Sequence, residues 1–118
     1  MHIVSLKNQK EFNYVNKIGT KLHGSFFIII VSSSLPRSVS SENSTLAFGM
    51  KVSRKFSKKA NIRNKSKRRI RHLVRLLTKE PMVNVENRSI IIIPKMGFDK
   101  SDFADLYLNF KKMFQKSI

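Results

Sequence analysis

The sequence predicts a single mixed α+β domain over residues 1–118, because helix-like and strand-like patterns alternate along the chain. Apolar residues recur every three or four positions in residues 62–77 and 103–114, which is the period of an amphipathic helix. Residues 26–31 and 90–93 are instead short, continuous apolar runs, typical of strands covered on both faces. The predicted architecture is an α+β sandwich with the order helix, two or three strands, basic helix, strand and helix.

The first helix is predicted over about residues 9–18. Asn8 supplies a side-chain acceptor at its start, and Glu11 follows three residues later, as in a capping box. Gly19 is suited to end the helix after Ile18.

Two or three strands are predicted next. Residues 26–31 form the first apolar strand, and Leu22 and His23 before it are expected to pair with it as a short extension. Residues 32–44 are Ser-rich and contain Pro36, which predicts a surface loop. Residues 45–53 alternate between a small or polar face and an apolar face. The apolar face comprises Leu46, Phe48, Met50 and Val52.

The second helix carries most of the positive charge. Residues 43–79 hold 13 Lys and Arg residues and no Asp or Glu. At 100° per residue, one side of the helix is apolar, with Ile62, Ile70, Leu73, Val74 and Leu77. The adjoining flank carries a cationic stripe of Asn64, Lys67, Arg68, Arg71 and Arg75. Arg63 is expected to reach across the sheet edge, and Pro81 marks the end of the helix region.

The last strand and helix complete the order. Residues 90–93 are typical of a strand in the middle of a sheet, and Asp99 or Ser101 is expected to cap the final helix. We interpret the aromatic stripe of that helix as core rather than as a base-stacking surface. The stripe comprises Phe103, Leu106, Tyr107, Phe110, Met113 and Phe114.

Composition points to a nucleic-acid partner. Lys and Arg number 24 against 7 Asp and Glu, a formal net charge of +17 that a polyanion would neutralise. The chain has no Cys, and its longest early apolar run is far too short to span a bilayer, so a cytoplasmic protein is expected. Its three His are scattered, and Asp99, Asp102 and Asp105 fit the start of a helix better than a metal site. With no phosphate loop or nucleophile motif, catalysis by the polypeptide alone is not expected.

Residues 49–55 and 58–71 carry a spaced pattern, in which Val52, Ser53 and two basic residues precede Arg63-Asn64. This pattern resembles the bacterial ribonuclease P protein component, whose hallmark is Arg-Asn-Arg followed by Lys-Arg and a further Arg. The resemblance extends over nearly the full chain, from Glu11-Phe12 to the closing amphipathic helix.

The resemblance implies a two-layer α+β sandwich with the order α-β-β-β-α-β-α and an unusual left-handed βαβ crossover. It also implies a subunit of an endoribonuclease in which the catalytic RNA and its Mg²⁺ ions remove the 5′ leader of precursor tRNA. The protein would bind that RNA, in a ratio of one to one, and hold the leader in a cleft between the first helix and the sheet. No cofactor would be bound by the protein alone.

Residue by residue, the motif matches Arg63 and Asn64, with Lys65 in place of the second Arg. The complete set of expected RNA contacts is Arg54, Lys55, Lys58, Lys59, Arg63, Asn64, Lys65, Lys67, Arg68, Arg71 and Arg75. For the leader cleft, the expected residues are Phe12, Phe26, Lys51 and Ser53. A second family aromatic, one helical turn after Phe12, is replaced by Asn16.

Three other readings remain open at this stage. A ribosomal or other structural RNA-binding protein has the same charge, although the spaced motif argues against it. A small endoribonuclease that works without RNA is opposed by the missing acid–base constellation. A membrane-surface role is the most distant, because the basic helix needs its apolar face for the core.

Overall fold

The computed structural model describes residues 2–39 and 44–117. Along the chain the elements are β1 (His2–Ser5), α1 (Gln9–Ile18), β2 (Thr20–His23), β3 (Phe27–Ser32), β4 (Thr45–Met50), α2 (Ala60–Thr78), β5 (Arg88–Pro94) and α3 (Phe103–Lys116). Within the predicted loop over residues 32–44, Ser32 ends β3, and residues 40–43 lie outside the described residues.

The strands form one five-stranded sheet in the order β1-β4-β5-β3-β2. β5 lies at the centre, antiparallel to β3 and parallel to β4, which explains its unbroken apolar run. The outer strands are β1, parallel to β4, and β2, antiparallel to β3. Because α2 connects the parallel neighbours β4 and β5, these three elements form the predicted βαβ unit.

The two faces of the sheet are covered differently. One face packs against α2 and α3, and its core includes Phe27, Phe48, Ile90 and Phe110. The other face packs against α1, through a smaller cluster that includes Val15. The mixed α+β class and the order of the predicted elements are confirmed, and α1 adds a partial third layer. The aromatic stripe of α3 lies in the core as predicted, with Leu106, Phe110 and Phe114 buried.

The start of α1 follows its sequence signals closely. Asn8 Oδ1 accepts a hydrogen bond from the Glu11 amide at 3.0 Å, and the Gly19 amide closes the helix on the Val15 carbonyl. The Glu11 carboxylate is buried, and it accepts hydrogen bonds from the Ser38 hydroxyl and the Lys7 amide. These two bonds, the Ser38 bond first, hold the pKa of Glu11 below its usual value. Glu11 therefore ties the loop after β3 to the start of α1.

Three features differ from the sequence prediction. The strand predicted over residues 45–53 ends three residues earlier, at Met50. The strand β1 was not predicted, because it is four residues long and is stabilised by pairing with β4, about forty residues away. The predicted cap of α3 was wrong: the cap is Asp102, whose carboxylate accepts from the Asp105 amide at 3.2 Å. Ser101 instead donates its hydroxyl to the Gly97 carbonyl, in the turn before the helix.

Candidate nucleic-acid interface

Helix α2 has the two faces that its sequence predicts. Ile70, Leu73, Val74 and Leu77 are fully buried in the core, and Ile62 is half-buried near the helix start. The exposed residues among the predicted RNA contacts are Arg54, Lys55, Lys58, Lys59, Asn64, Lys65, Arg68, Arg71 and Arg75. The helix thus presents the arginines of its cationic stripe to solvent while its apolar face packs on the sheet.

The N-terminal end of α2 carries uncompensated positive charge. Its first turn contains no acidic residue, and the side chain of the N-cap residue Lys59 makes no capping hydrogen bond. The helix macrodipole adds partial positive charge at the same end. With Lys58 and Lys59 exposed beside it, this end of α2 is suited to bind an anionic group such as a phosphate.

Arg63 fixes the loop that precedes α2. Its Nη1 donates a hydrogen bond to the Ser57 carbonyl at 2.9 Å, and the side chain is half-buried. The expectation that Arg63 reaches across the sheet edge was therefore wrong, since an acceptor lies closer, only six residues back along the chain. The contact stabilises the loop whose cations, Lys55 and Lys58 among them, lie in solvent.

The opposite flank of α2 faces α3 instead of solvent. Arg69 Nη1 donates to the Phe98 carbonyl at 2.6 Å, and its guanidinium lies 5.8 Å from the centre of the Phe103 ring. His72 stacks on the same ring, with the centroids 4.6 Å apart. Arg69 is therefore held in a contact between helices, unlike Arg68 beside it.

A groove connects the cationic stripe with α1. Its volume is about 360 Å³. The lining residues are Ser5, Leu6, Phe12, Phe48, Gly49, Met50, Val52, Lys67 and Arg71. Lys51 Nζ lies 5.9 Å from the centre of the Phe12 ring, just beyond the end of β4. The structure thus brings an aromatic side chain and three cations together.

The other two predicted cleft residues are placed less centrally. Ser53 is exposed in the loop after β4. Phe26 precedes β3, and its ring packs beside Gly97, in the turn that follows β5. The strand rise of about 3.3 Å per residue puts Phe26 roughly 13 Å along β3 from Ile30, which lies across the sheet from Gly49. Phe26 therefore does not share the groove with Phe12.

Sequence reasoning did not identify Gly49 or Leu6 as part of this groove. A Cβ atom at Gly49 would lie 2.6 Å from two carbons of the Phe12 ring, so Phe12 rests directly on the backbone of β4. A glycine inside a strand pattern signals such a close approach, and this was the available clue. Leu6 follows β1 and could not be placed without that strand.

Two negative findings apply to the described residues alone. No helix among them is both long and apolar enough to cross a membrane. They also contain no group of three or more His, Asp or Glu side chains that could hold a metal ion.

The whole chain matches known proteins. The family model of ribonuclease P matches residues 3–117. The ribonuclease P protein component of Rickettsia akari is 43% identical over 118 residues, covering all of both chains, and that of Rickettsia peacockii is 42% identical over the same span.

Solved structures share the fold. The ribonuclease P protein from Thermotoga maritima matches with a TM-score of 0.72 at 23% identity, over 95% of this chain and 96% of that one. The Staphylococcus aureus protein matches with a TM-score of 0.71 at 20% identity, over 96% and 95%. The mixed α+β fold expected from the resemblance is therefore confirmed. Together with the whole-length sequence matches, this shows that the chain belongs to the ribonuclease P protein family.

Proposed function

We propose that this chain is the protein subunit of ribonuclease P and takes part in the removal of the 5′ leader from precursor tRNA. The observation that carries the proposal is the position of the cationic stripe of α2 beside the groove that contains Phe12. A structured RNA and an unpaired strand can be bound side by side on such a surface. Family membership supports the same function.

The exposed cations of α2 and its preceding loop bind phosphates of the ribonuclease P RNA in this proposal. Arg68 and Arg75 point to solvent and have no protein partner among the described contacts, so their guanidinium forks are available. Lys65 keeps the charge of the motif but lacks the planar fork, and it binds as a point charge. One protein binds one RNA.

The groove binds the unpaired 5′ leader. The Phe12 ring offers a face on which a base can stack, and Lys51 and Arg71 neutralise phosphates on either side of it. Stacking and charge contacts of this kind tolerate many sequences, which suits leaders that differ between tRNAs.

The cleavage chemistry belongs to the RNA and its Mg²⁺ ions, and the polypeptide supplies no catalytic group. Its net charge of +17 offsets phosphate repulsion where the RNA, the leader and the metal ions meet. Because precursor tRNA is the substrate, the cytoplasm is the expected place of action.

The first test is cleavage of precursor tRNA at low Mg²⁺ concentration by a bacterial ribonuclease P RNA, with and without this protein, and by the protein alone. Cleavage that requires both RNA and protein is the expected result. If the protein makes no difference, a role as a structural RNA-binding protein of the ribosomal type gains ground. Cleavage by the protein alone would contradict the assignment of the chemistry to RNA.

Two neighbouring arginines provide a matched test of the interface. Arg68→Ala is expected to weaken binding of the ribonuclease P RNA and to lower the salt dependence by about one unit of slope, because one phosphate contact is lost. Arg69→Ala is expected to leave that slope unchanged and to lower the thermal stability, since Arg69 bonds to the Phe98 carbonyl. The reverse pattern would place the RNA on the other flank of α2.

A further inference from the structure

Next to the groove, four side chains form a row across the sheet on the face that carries α1. Ile93 and Ile28 are direct register partners in the central strands, and Ile28 is in turn the partner of His23 on β2. On the other side, the Lys51 amide bonds to the Ile92 carbonyl and continues the pairing of β4 with β5. We call Lys51, Ile93, Ile28 and His23 the cross-strand row.

The cross-strand row lies on the same face as α1 but is not fully covered by it. The preceding row contains Ile91 and Ile30, which pack under α1 and are completely buried. In the cross-strand row, Ile93 and Ile28 are only half-buried, and the outer members Lys51 and His23 are exposed. The row therefore forms an open apolar floor with a polar side chain at each end.

Its dimensions and charge suit a short stretch of unpaired RNA. Three interstrand spacings of about 4.8 Å separate Lys51 from His23, roughly 14 Å in all. None of the five strands contains an acidic residue, and Lys21 adds a cation on the same face as His23, two residues away on β2. At its Lys51 end the cross-strand row adjoins the Phe12 groove, because the Lys51 ammonium lies close to the Phe12 ring.

We propose that His23 contacts an unpaired nucleotide of the leader, at the opposite end of the cross-strand row from Lys51. This inference rests on the proposed function and extends its leader site from the Phe12 groove across to β2. An imidazole can stack on a base or hydrogen-bond to a phosphate, while the aliphatic floor supports base faces without reading their edges. The row thus favours longer leaders over shorter ones without selecting a base sequence.

The test measures the affinity of the holoenzyme for precursor tRNAs whose leaders are lengthened one nucleotide at a time, with mature tRNA as the leaderless control. His23→Ala is expected to weaken binding by at least about fivefold, but only for leaders long enough to reach His23. His23→Phe should retain most of the affinity, because it keeps a ring for stacking. The matched control is His2→Ala, which removes an exposed imidazole from β1, the other edge strand of the sheet, and is expected to change nothing.

Three outcomes would overturn the proposal. His23→Ala could behave as His2→Ala does at every leader length, which would leave His23 a solvent-exposed residue without a contact. It could weaken mature tRNA or the ribonuclease P RNA by the same factor, which would indicate a general effect. Finally, the unaltered protein could stimulate cleavage without any dependence on leader length. That last result would also remove leader binding from the proposed function, while the subunit assignment would stand on the cleavage itself.

Discussion

Gly49 is the position where one added methyl group should disturb the groove most. In the structure a Cβ atom at Gly49 would lie 2.6 Å from both Cε1 and Cζ of Phe12, and 3.0 Å from Cδ1 of Leu6. Real Cβ atoms do not approach other heavy atoms as closely as 2.6 Å, so Gly49→Ala must push the Phe12 ring away from β4. Because Phe12 sits on α1, the ring moves outward by a change of side-chain rotamer or by a shift of the helix.

The magnitude follows from two opposing effects. Overpacking of a closely packed site costs about 1–3 kcal/mol. Replacement of glycine by alanine also restricts the unfolded chain, which offsets roughly 0.4–1 kcal/mol of that cost. We expect a net loss of about 1–2 kcal/mol in the free energy of unfolding. At about 4 °C per kcal/mol for a domain of this size, Tm should fall by roughly 4–8 °C.

Urea unfolding of Gly49→Ala, Phe12→Ala and the double variant provides the assay. When the Phe12 ring is absent, Gly49→Ala should cost much less, leaving a small remainder from the contact with Leu6. Leader affinity should fall in Gly49→Ala, while affinity for the ribonuclease P RNA stays the same. An equal stability cost with and without Phe12 would refute the reasoning, because the clash would then lie elsewhere.

Three further changes test other parts of the structure. Ser66→Ala should raise the free energy of unfolding by about 1 kcal/mol in urea titrations, because its fully buried hydroxyl has no hydrogen-bond partner among the described residues; a loss of stability would reveal a bond to that hydroxyl. Hydrogen bonds from the Tyr107 hydroxyl at 2.6 Å and from Lys111 hold the pKa of Glu80 below its ordinary 4.5. The ionised Glu80 carboxylate therefore stabilises the fold above about pH 4.5. This contribution is lost as the pH falls through the lower pKa of the folded state. Tyr107→Phe should therefore flatten the acid-induced fall in Tm, and an unaltered acid profile would speak against the link. Lys65→Arg should tighten binding of the ribonuclease P RNA a few-fold at an unchanged salt slope, since a guanidinium fork is gained and the charge is kept. Filter binding over a salt series measures both quantities, and either an unchanged affinity or a changed slope would contradict this expectation.

The elements that sequence predicted well are those whose signals are local. The cap at Asn8 and the stop at Gly19 lie next to the helix that they delimit, and the bounds of α1 are as predicted. The apolar faces of α2 and α3 repeat over several turns, so the periodicity alone identifies which side chains are buried. The four consecutive isoleucines of β5 likewise indicate a central strand without knowledge of its neighbours.

The elements that sequence did not predict depend on distant partners. The strand β1 has few residues and is stabilised by β4, so its own pattern is too short to detect. Phe26 and Phe12 are both aromatic residues near predicted cleft elements, and only the strand pairing shows that Phe26 lies away from the groove. The cap of α3 was misplaced because Asp99, Ser101 and Asp102 are all good capping residues within four positions. The hydroxyl of Ser101 is used in the preceding turn, where it bonds to the Gly97 carbonyl, and this contact is not visible in the sequence.

Helix α2 shows why charge alone does not identify an RNA contact. Arg63, Arg68 and Arg69 are the same residue type within two turns, yet Arg63 bonds to the preceding loop and Arg69 to the turn before α3. Only Arg68 of the three is exposed. Arg63 and Arg69 each satisfy a backbone carbonyl, so their guanidinium groups are held within the protein, whereas that of Arg68 remains available to a partner. Net charge predicts the class of partner, whereas the hydrogen bonds of each guanidinium determine which arginines remain free to bind that partner.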